Sequence, residues 1–171
     1  MVELKIVSSD STNQHFCNWL SRRTGVEFPF DPTLTRTIGH VETTDGKTFS
    51  EEQILAVTAY HNFTPYSCEV TLASSGAKKQ KASKEYVRFC LHYCFNLANK
   101  LRLEAHIAVD NYKSQCIADL LCLKRLCTKK DFYGEGKDAF MYELTKKDWL
   151  TGPWAVVSTT EPINKEKNGE E

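Results

Sequence analysis

The stretch from Glu69 to Ser114 constrains this chain most. It reads as a strand, a lysine-studded loop just past Gly76, a helix, a second strand, and then Asp110-Asn111-Tyr112-Lys113-Ser114. A strand that runs through a cationic loop into a helix makes an anion site, because free backbone N–H groups and the positive end of the helix dipole converge there. The Asn-x-x-Ser that opens a helix after the second strand sets two hydrogen-bonding side chains at that strand's exit. Residues 67–109 are therefore expected to form a right-handed strand–helix–strand crossover with parallel strands. Antiparallel hairpins before and after it would make the sheet mixed. Ligands of such sheets sit at the carboxyl ends of the parallel strands, so the pattern predicts a cleft for a long, phosphate-bearing molecule.

The remaining composition narrows the class. With 171 residues, 41% hydrophobic and 26% charged, the chain has enough apolar material for one core. We assign it to residues 1–150, with 151–171 as a polar tail expected to be disordered. Twenty-two basic and twenty-two acidic residues cancel, so no overall field draws the protein to nucleic acid or an anionic membrane. Phosphate recognition must then be local. No apolar run reaches membrane-spanning length and Met1–Asp10 has no signal-peptide core, which points to the cytoplasm. The seven cysteines include no CxxC pair, so neither a disulfide framework nor a zinc site is indicated, and no metal is expected. Cys90 and Cys94, one helical turn apart, read as small core residues.

Periodicity fills in the elements. Strands are expected at Val2–Val7, Arg36–Thr43, Ile54–Tyr60, Ser67–Ser74, Leu103–Val109, Leu123–Lys130 and Ala139–Leu144. A helix capped by Asp10 or Ser11 presents Phe16, Trp19 and Leu20 and stops at Gly25, followed by an ordered loop over 26–32. From Ser83, the residues Tyr86, Val87, Cys90, Leu91, Cys94, Leu97, Ala98 and Leu101 form an amphipathic stripe, ended by Asn99-Lys100. A short helix spans Asn111–Leu121. His61 reads as an exposed neighbour of a turn.

Residues 69–149 resemble the Gcn5-related N-acetyltransferase (GNAT) family. The likeness runs through Tyr93-Cys94-Phe95-Asn96, Leu101-Arg102-Leu103-Glu104-Ala105, Asp110-Asn111 with Ser114, and Asp138-Ala139-Phe140-Met141-Tyr142-Glu143-Leu144. The looser N-terminal match, through Trp19 to Gly25 and Ile38-Gly39-His40-Val41, together with Leu72 to Gly76, is similar to short acetyltransferase-like proteins of phages and prophages. The resemblance implies an α/β fold with a mixed, mostly antiparallel sheet flanked by helices, whose single parallel crossover forms the cofactor cleft. It implies acetyl-CoA as co-substrate, a primary amine as acceptor and direct attack, with a homodimer as one assembly and a phage's host cytoplasm as one setting.

Residue by residue, the resemblance places main-chain groups of Leu72, Ala73 and Ser74 against the pantetheine arm. The pyrophosphate falls over Lys79, Lys81, Ala82, Ser83 and Lys84, and Asn111 and Ser114 reach the pantetheine or the leaving thiolate. Two departures stand out. Lys81 occupies a position where the family has glycine, and Ala118 replaces the tyrosine that often protonates the thiolate. Attack needs a neutral amine and hence a base. Glu69, Glu104 and His106 are the candidates, Glu104 and His106 sharing one face of a strand. Each also has a plain structural reading: a strand-end charge, an ion-pair partner and a satisfied half-buried histidine. Tyr133 is a further acid, or a surface turn residue. Phe28, Phe30 and Trp19 line the acceptor pocket or pack the core. The alternative to an active transferase is a GNAT-shaped binding or virion-associated module without catalysis.

Overall fold

The computed structural model describes residues 3–24, 30–76 and 82–155. The expected helix stop at Gly25, most of the 26–32 loop, Phe28, Lys79, Lys81 and the tail beyond residue 155 lie outside them. The strands are β1 (Glu3–Val7), β2 (Arg36–Thr43), β3 (Ile54–His61), β4 (Ser67–Ser74), β5 (Arg102–Ala108), β6 (Lys124–Lys129) and β7 (Ala139–Thr145). The helices are α1 (Asp10–Thr24), α2 (Lys84–His92), α3 (Tyr112–Leu120) and α4 (Lys146–Thr151). All seven strands join one sheet in the order β1-β2-β3-β4-β5-β7-β6, antiparallel except for the β4–β5 pair. No helix among the described residues is long and apolar enough to cross a membrane.

The sheet has two faces with different covers. β3 is buried on both, which is why Ile54-Leu55-Ala56-Val57 reads as a continuous apolar run. On one face Val57, Ala59 and Ala73 meet Phe16, Trp19 and Leu20 of α1. Trp19 is thus a core residue, with Phe30 packed beside it. On the other face Tyr60, Cys68, Leu103, Ala105 and Tyr142 meet Tyr86, Cys90, Cys94 and Phe95. A buried tyrosine hydroxyl of this core is paired, as burial demands: the Tyr86 hydroxyl bonds Thr58 Oγ1 at 2.8 Å and donates to Ile38 O at 2.8 Å. Cys90 and Cys94 are core residues, and the Cys94 thiol touches that of Cys68 at 3.6 Å.

The helix after β4 departs from the expected stripe. Past His92 it widens into a π-helical turn, Tyr93–Leu97, closed by Ala98 N–H donating to Tyr93 O at 2.7 Å. The extra residue shifts the helical phase, so Cys94 and Phe95 stay inside while Leu97 and Leu101 face solvent. Asn99 then stops the helix in the left-handed conformation, at φ 49°. At α1 the expected caps also shift: Ser9 supplies the carbonyl for Thr12 and Asn13 N–H, and Asp10 is already helical, paired with Arg36 at 2.8 Å.

Four aspartates fix surface turns and the start of α4 and give the fold an acid limit. The Thr33 hydroxyl holds the Asp31 carboxyl below its usual value, and the Thr48 N–H does so strongly for Asp45. The Lys130 and Lys124 ammonium groups lower Asp138 and Asp148. A depressed carboxyl adds stability above its unfolded value and loses it as pH falls through the folded one. Thermal melts followed by circular dichroism are therefore expected to be flat down to about pH 5 and to fall below about pH 4. Asp45→Asn is expected to shrink that acid-induced fall.

Candidate active site

β4 and β5 pair for only three positions, Ser67↔Arg102, Cys68↔Leu103 and Glu69↔Glu104. Beyond Glu69 the two strands part, β4 staying on β3 and β5 on β7. The result is a fork, open at the carboxyl ends of both strands. Ladder alternation shows which main-chain groups face it. Ser75 N–H, next in the β3–β4 register, donates to Leu55 O at 2.8 Å. Odd residues of β4 therefore bond β3, and the N–H and C=O of Leu72 and Ser74 turn into the gap while those of Ala73 face β3. The Ser74 carbonyl, freed from the ladder, accepts from Arg23 Nε at 3.1 Å. On β5 the even residues face the gap by the same argument, since Val109 N–H and Leu101 O bond β7's extensions. His106 O is among them.

At the apex of the fork the structure brings two of the sequence candidates together. Glu69 Oε1 lies 2.7 Å from His106 Nδ1, and their side chains are only 17% and 5% exposed. The ionised carboxylate can only accept, so Nδ1 carries a proton, and in the neutral form of the ring the lone pair lies on Nε2. Among the described residues Nε2 has no hydrogen-bond partner, and it is closed off from solvent. Phe132 stacks on the imidazole at 4.3 Å and 16°, and the Tyr133 hydroxyl donates to His106 O at 2.8 Å. Burial pushes the Glu69 carboxyl up, but hydrogen bonds from His106 and Asn62 outweigh it and hold the group below its usual value. Partial burial, with Glu69 nearby, raises the Tyr133 phenol.

The other candidates are placed as follows. Glu104 shares the face of His106 but engages Arg102 at 3.3 Å, and Arg102 also lies 3.7 Å from Glu143. Asn111 caps α3, its Oδ1 accepting from Ser114 N–H at 3.1 Å, which sets both residues just past the end of β5. Gln115 Nε2 ties that helix start to Ala108 O and Val109 O at 3.3 and 3.0 Å. Across the fork, Ser83 caps α2 by accepting from Tyr86 N–H at 3.1 Å, with Ala82 before it and Lys84 as the first, exposed helical residue. Ala118 is buried at 3% exposure. No phenol could be housed there without repacking, whereas Tyr133 brings one to the cleft side of β5.

Several residues of the site carry no signal in the local sequence pattern. His61 is not an exposed turn neighbour: it ends β3, bonds Thr71 Oγ1 at 2.9 Å and tilts against Phe30 at 5.3 Å. Burial lowers its pKa, opposed by Glu69. Asn62, just past the end of β3, donates from Nδ2 to Glu69 Oε2 at 2.9 Å. Four basic residues of β6 and its loop are engaged: Lys124 by Asp148, Lys130 by Asp138, Arg125 and Lys129 by the rings of Phe140 and Phe132.

No protein-family model matches the sequence, and no curated protein does. Solved structures match across nearly the whole fold. A chimera of spermidine N-acetyltransferase SpeG from Vibrio cholerae with hSSAT overlaps at a TM-score of 0.64 and 13% identity, covering 86% of this chain and 99% of the other. Dodecameric SpeG from Vibrio cholerae gives 0.61 at 13% identity, covering 86% and 96%. The ribosomal-protein-S5-alanine acetyltransferase from Vibrio fischeri gives 0.62 at 15%, covering 87% and 98%. At such identities the likeness carries the fold and not the acceptor. The chain has a GNAT-like fold, a mixed and mostly antiparallel sheet whose one parallel pair ends after Glu69.

Proposed function

We propose that this protein is an acetyl-CoA-dependent N-acetyltransferase that moves an acetyl group to a primary amine by direct attack. The observation that carries the reading is the β4–β5 pair that opens after Glu69 with the Glu69–His106 pair at its apex. The matched spermidine and ribosomal-protein-alanine acetyltransferases support it, since both names specify an amino-group acceptor.

In this reading the pantetheine arm lies along the open edge of β4, where Leu72 and Ser74 offer main-chain groups. A backbone N–H aimed at the thioester oxygen stabilises the tetrahedral oxyanion. The pyrophosphate rests on the Ser83-capped start of α2, next to Lys84 and Ala82, with Lys79 and Lys81 adding charge from the preceding loop. Asn111 and Ser114 meet the arm from the β5 side. The acceptor's amine displaces Phe132, gives a proton to His106 Nε2 and attacks the carbonyl carbon. The carbon–sulfur bond breaks and the thiolate takes a proton from the imidazolium or from Tyr133. No covalent acetyl-enzyme is required. Seven free cysteines support a reducing compartment, and we place the enzyme in the cytoplasm, as a homodimer, with phage or prophage carriage as its setting.

One observation favours a second reading. The shielded Nε2 suits a GNAT-shaped binding module that no longer turns over. Both readings are addressed by a thermal-shift titration with acetyl-CoA and CoA, with ATP as control. Ligand at one hundred times its dissociation constant adds about 2.7 kcal/mol, a rise of several degrees in a domain of this size. A saturable rise with acetyl-CoA and CoA but not ATP is expected. No rise at millimolar ligand, from a protein that melts cooperatively, would remove the cofactor site from the account.

A further inference from the structure

Asn62 follows β3 directly and sits in the left-handed region, at φ 50°. A turn there needs only a residue that tolerates this conformation, which glycine, asparagine and aspartate all do. Asparagine adds something the turn does not require. Its Nδ2 donates to Glu69 Oε2 at 2.9 Å, while Glu69 Oε1 meets His106 Nδ1 at 2.7 Å. Among the described residues each carboxylate oxygen thus has one donor.

The terminal torsion of a glutamate is soft and broad, so a carboxylate held at one oxygen can swivel. Held at both, it keeps one oxygen on Nδ1–H and so selects the tautomer that leaves Nε2 bare. His61 spends its Nε2 on Thr71 Oγ1 and acts on Glu69 through charge, each holding the other toward its ionised form. The remaining charged or titratable neighbours are Arg102 and Glu104 on β5, Tyr133 from the β6–β7 loop, and Lys129 over Phe132. Asn62 is also reachable from outside, lining an open groove with Thr33, Leu34, Arg36 and Phe63.

We infer that Asn62 is a positioning residue, which orients the Glu69 carboxylate and through it the tautomer of His106. The inference deepens the acetyltransferase reading and rests on it for its kinetic test alone. Asn62→Gly keeps the turn and removes the donor. Asn62→Asp keeps the turn and replaces the donor with a second carboxylate facing Glu69.

The experiment uses the full chain and reads three quantities for each variant: melting temperature, kcat and KM across pH, and the ¹⁵N imidazole signals of His106, assigned against His106→Ala. For Asn62→Gly, an unchanged or higher melting temperature is expected, with kcat down on the order of tenfold to a hundredfold and KM little altered. Its His106 signals should move from one tautomer toward a mixture. For Asn62→Asp, the acidic limb of the kcat/KM profile should shift to higher pH, because two adjacent carboxylates favour the protonated pair. Wild-type kcat together with unchanged His106 signals in Asn62→Gly would overturn the inference and leave the transferase reading standing. A wild-type protein that acetylates no amine would remove the transferase reading instead. The imidazole signals of Asn62→Gly would still decide whether Asn62 orients the pair.

Discussion

Glu69→Gln is expected to lower kcat/KM for acetyl transfer by about two to three orders of magnitude, within the range for loss of a general base's machinery. The amide keeps the shape and can still accept from His106 Nδ1–H, so the fold should survive. What it lacks is the negative charge that stabilises the imidazolium formed as the amine gives up its proton. His106→Ala is expected to cost a similar factor. The double variant should be no worse than the poorer single one, because residues that act as a unit are not additive. Multiplying losses would mean that Glu69 and His106 serve separate roles. The pH profile adds a check of sign: the Glu69 carboxyl is held below its usual value, so the carboxylate persists through neutral pH and is lost only on strong acidification. Glu104→Gln should cost far less, since Glu104 is tied to Arg102 and not to the imidazole.

The second large effect is structural. A Cβ on Gly39 would lie 2.1 Å from Phe16 Cζ and 2.6 Å from both Cε atoms. Phe16 cannot retreat, being fully buried, stacked on Phe49 at 5.4 Å and 12°, and packed among Trp19, Leu20, Val41 and Val57. Gly39→Ala is therefore expected to cost about 3 kcal/mol, the upper end for overpacking. The melting temperature should drop by roughly 6–12 °C. Phe16→Leu should recover part of that loss in the Gly39→Ala background while destabilising the wild type, a coupling that equilibrium denaturation measures. Equal stability of Gly39→Ala and wild type would show that α1 does not press on β2 as described.

The ends of β2 and β4 were readable because each is a run of strand-forming residues bounded by turn residues, Arg36–Thr43 and Ser67–Ser74. α4 went unread although Thr145-x-x-Asp148 is a capping signature: Thr145 Oγ1 accepts from Asp148 N–H at 3.1 Å. The π-helical turn left no mark in the pattern, since Cys94, Leu97, Ala98 and Leu101 keep a regular stripe whichever way the phase slips. The site divides in the same manner. Glu104 and His106 share a face by alternation alone, and Glu69 lies on the facing strand. That Glu69 meets His106 and not Glu104 depends on the strands parting right after the Glu69↔Glu104 rung, a tertiary fact no local spacing encodes. Phe132, Tyr133 and Asn62 are turn residues in sequence, and only the return of their loops onto β4 and β5 gives them a role.

The most direct measurement is acetyl transfer itself. The full chain would be incubated with acetyl-CoA and, separately, with spermidine, a peptide bearing a free N-terminal alanine, and a peptide bearing one lysine. Free CoA thiol and acceptor mass are read together. An acetylated amine is expected to form in step with thiol release for at least one acceptor, with both signals lost in Glu69→Gln. A folded protein that binds acetyl-CoA yet releases no thiol with any acceptor would contradict it. So would transfer that persists at the wild-type rate in Glu69→Gln.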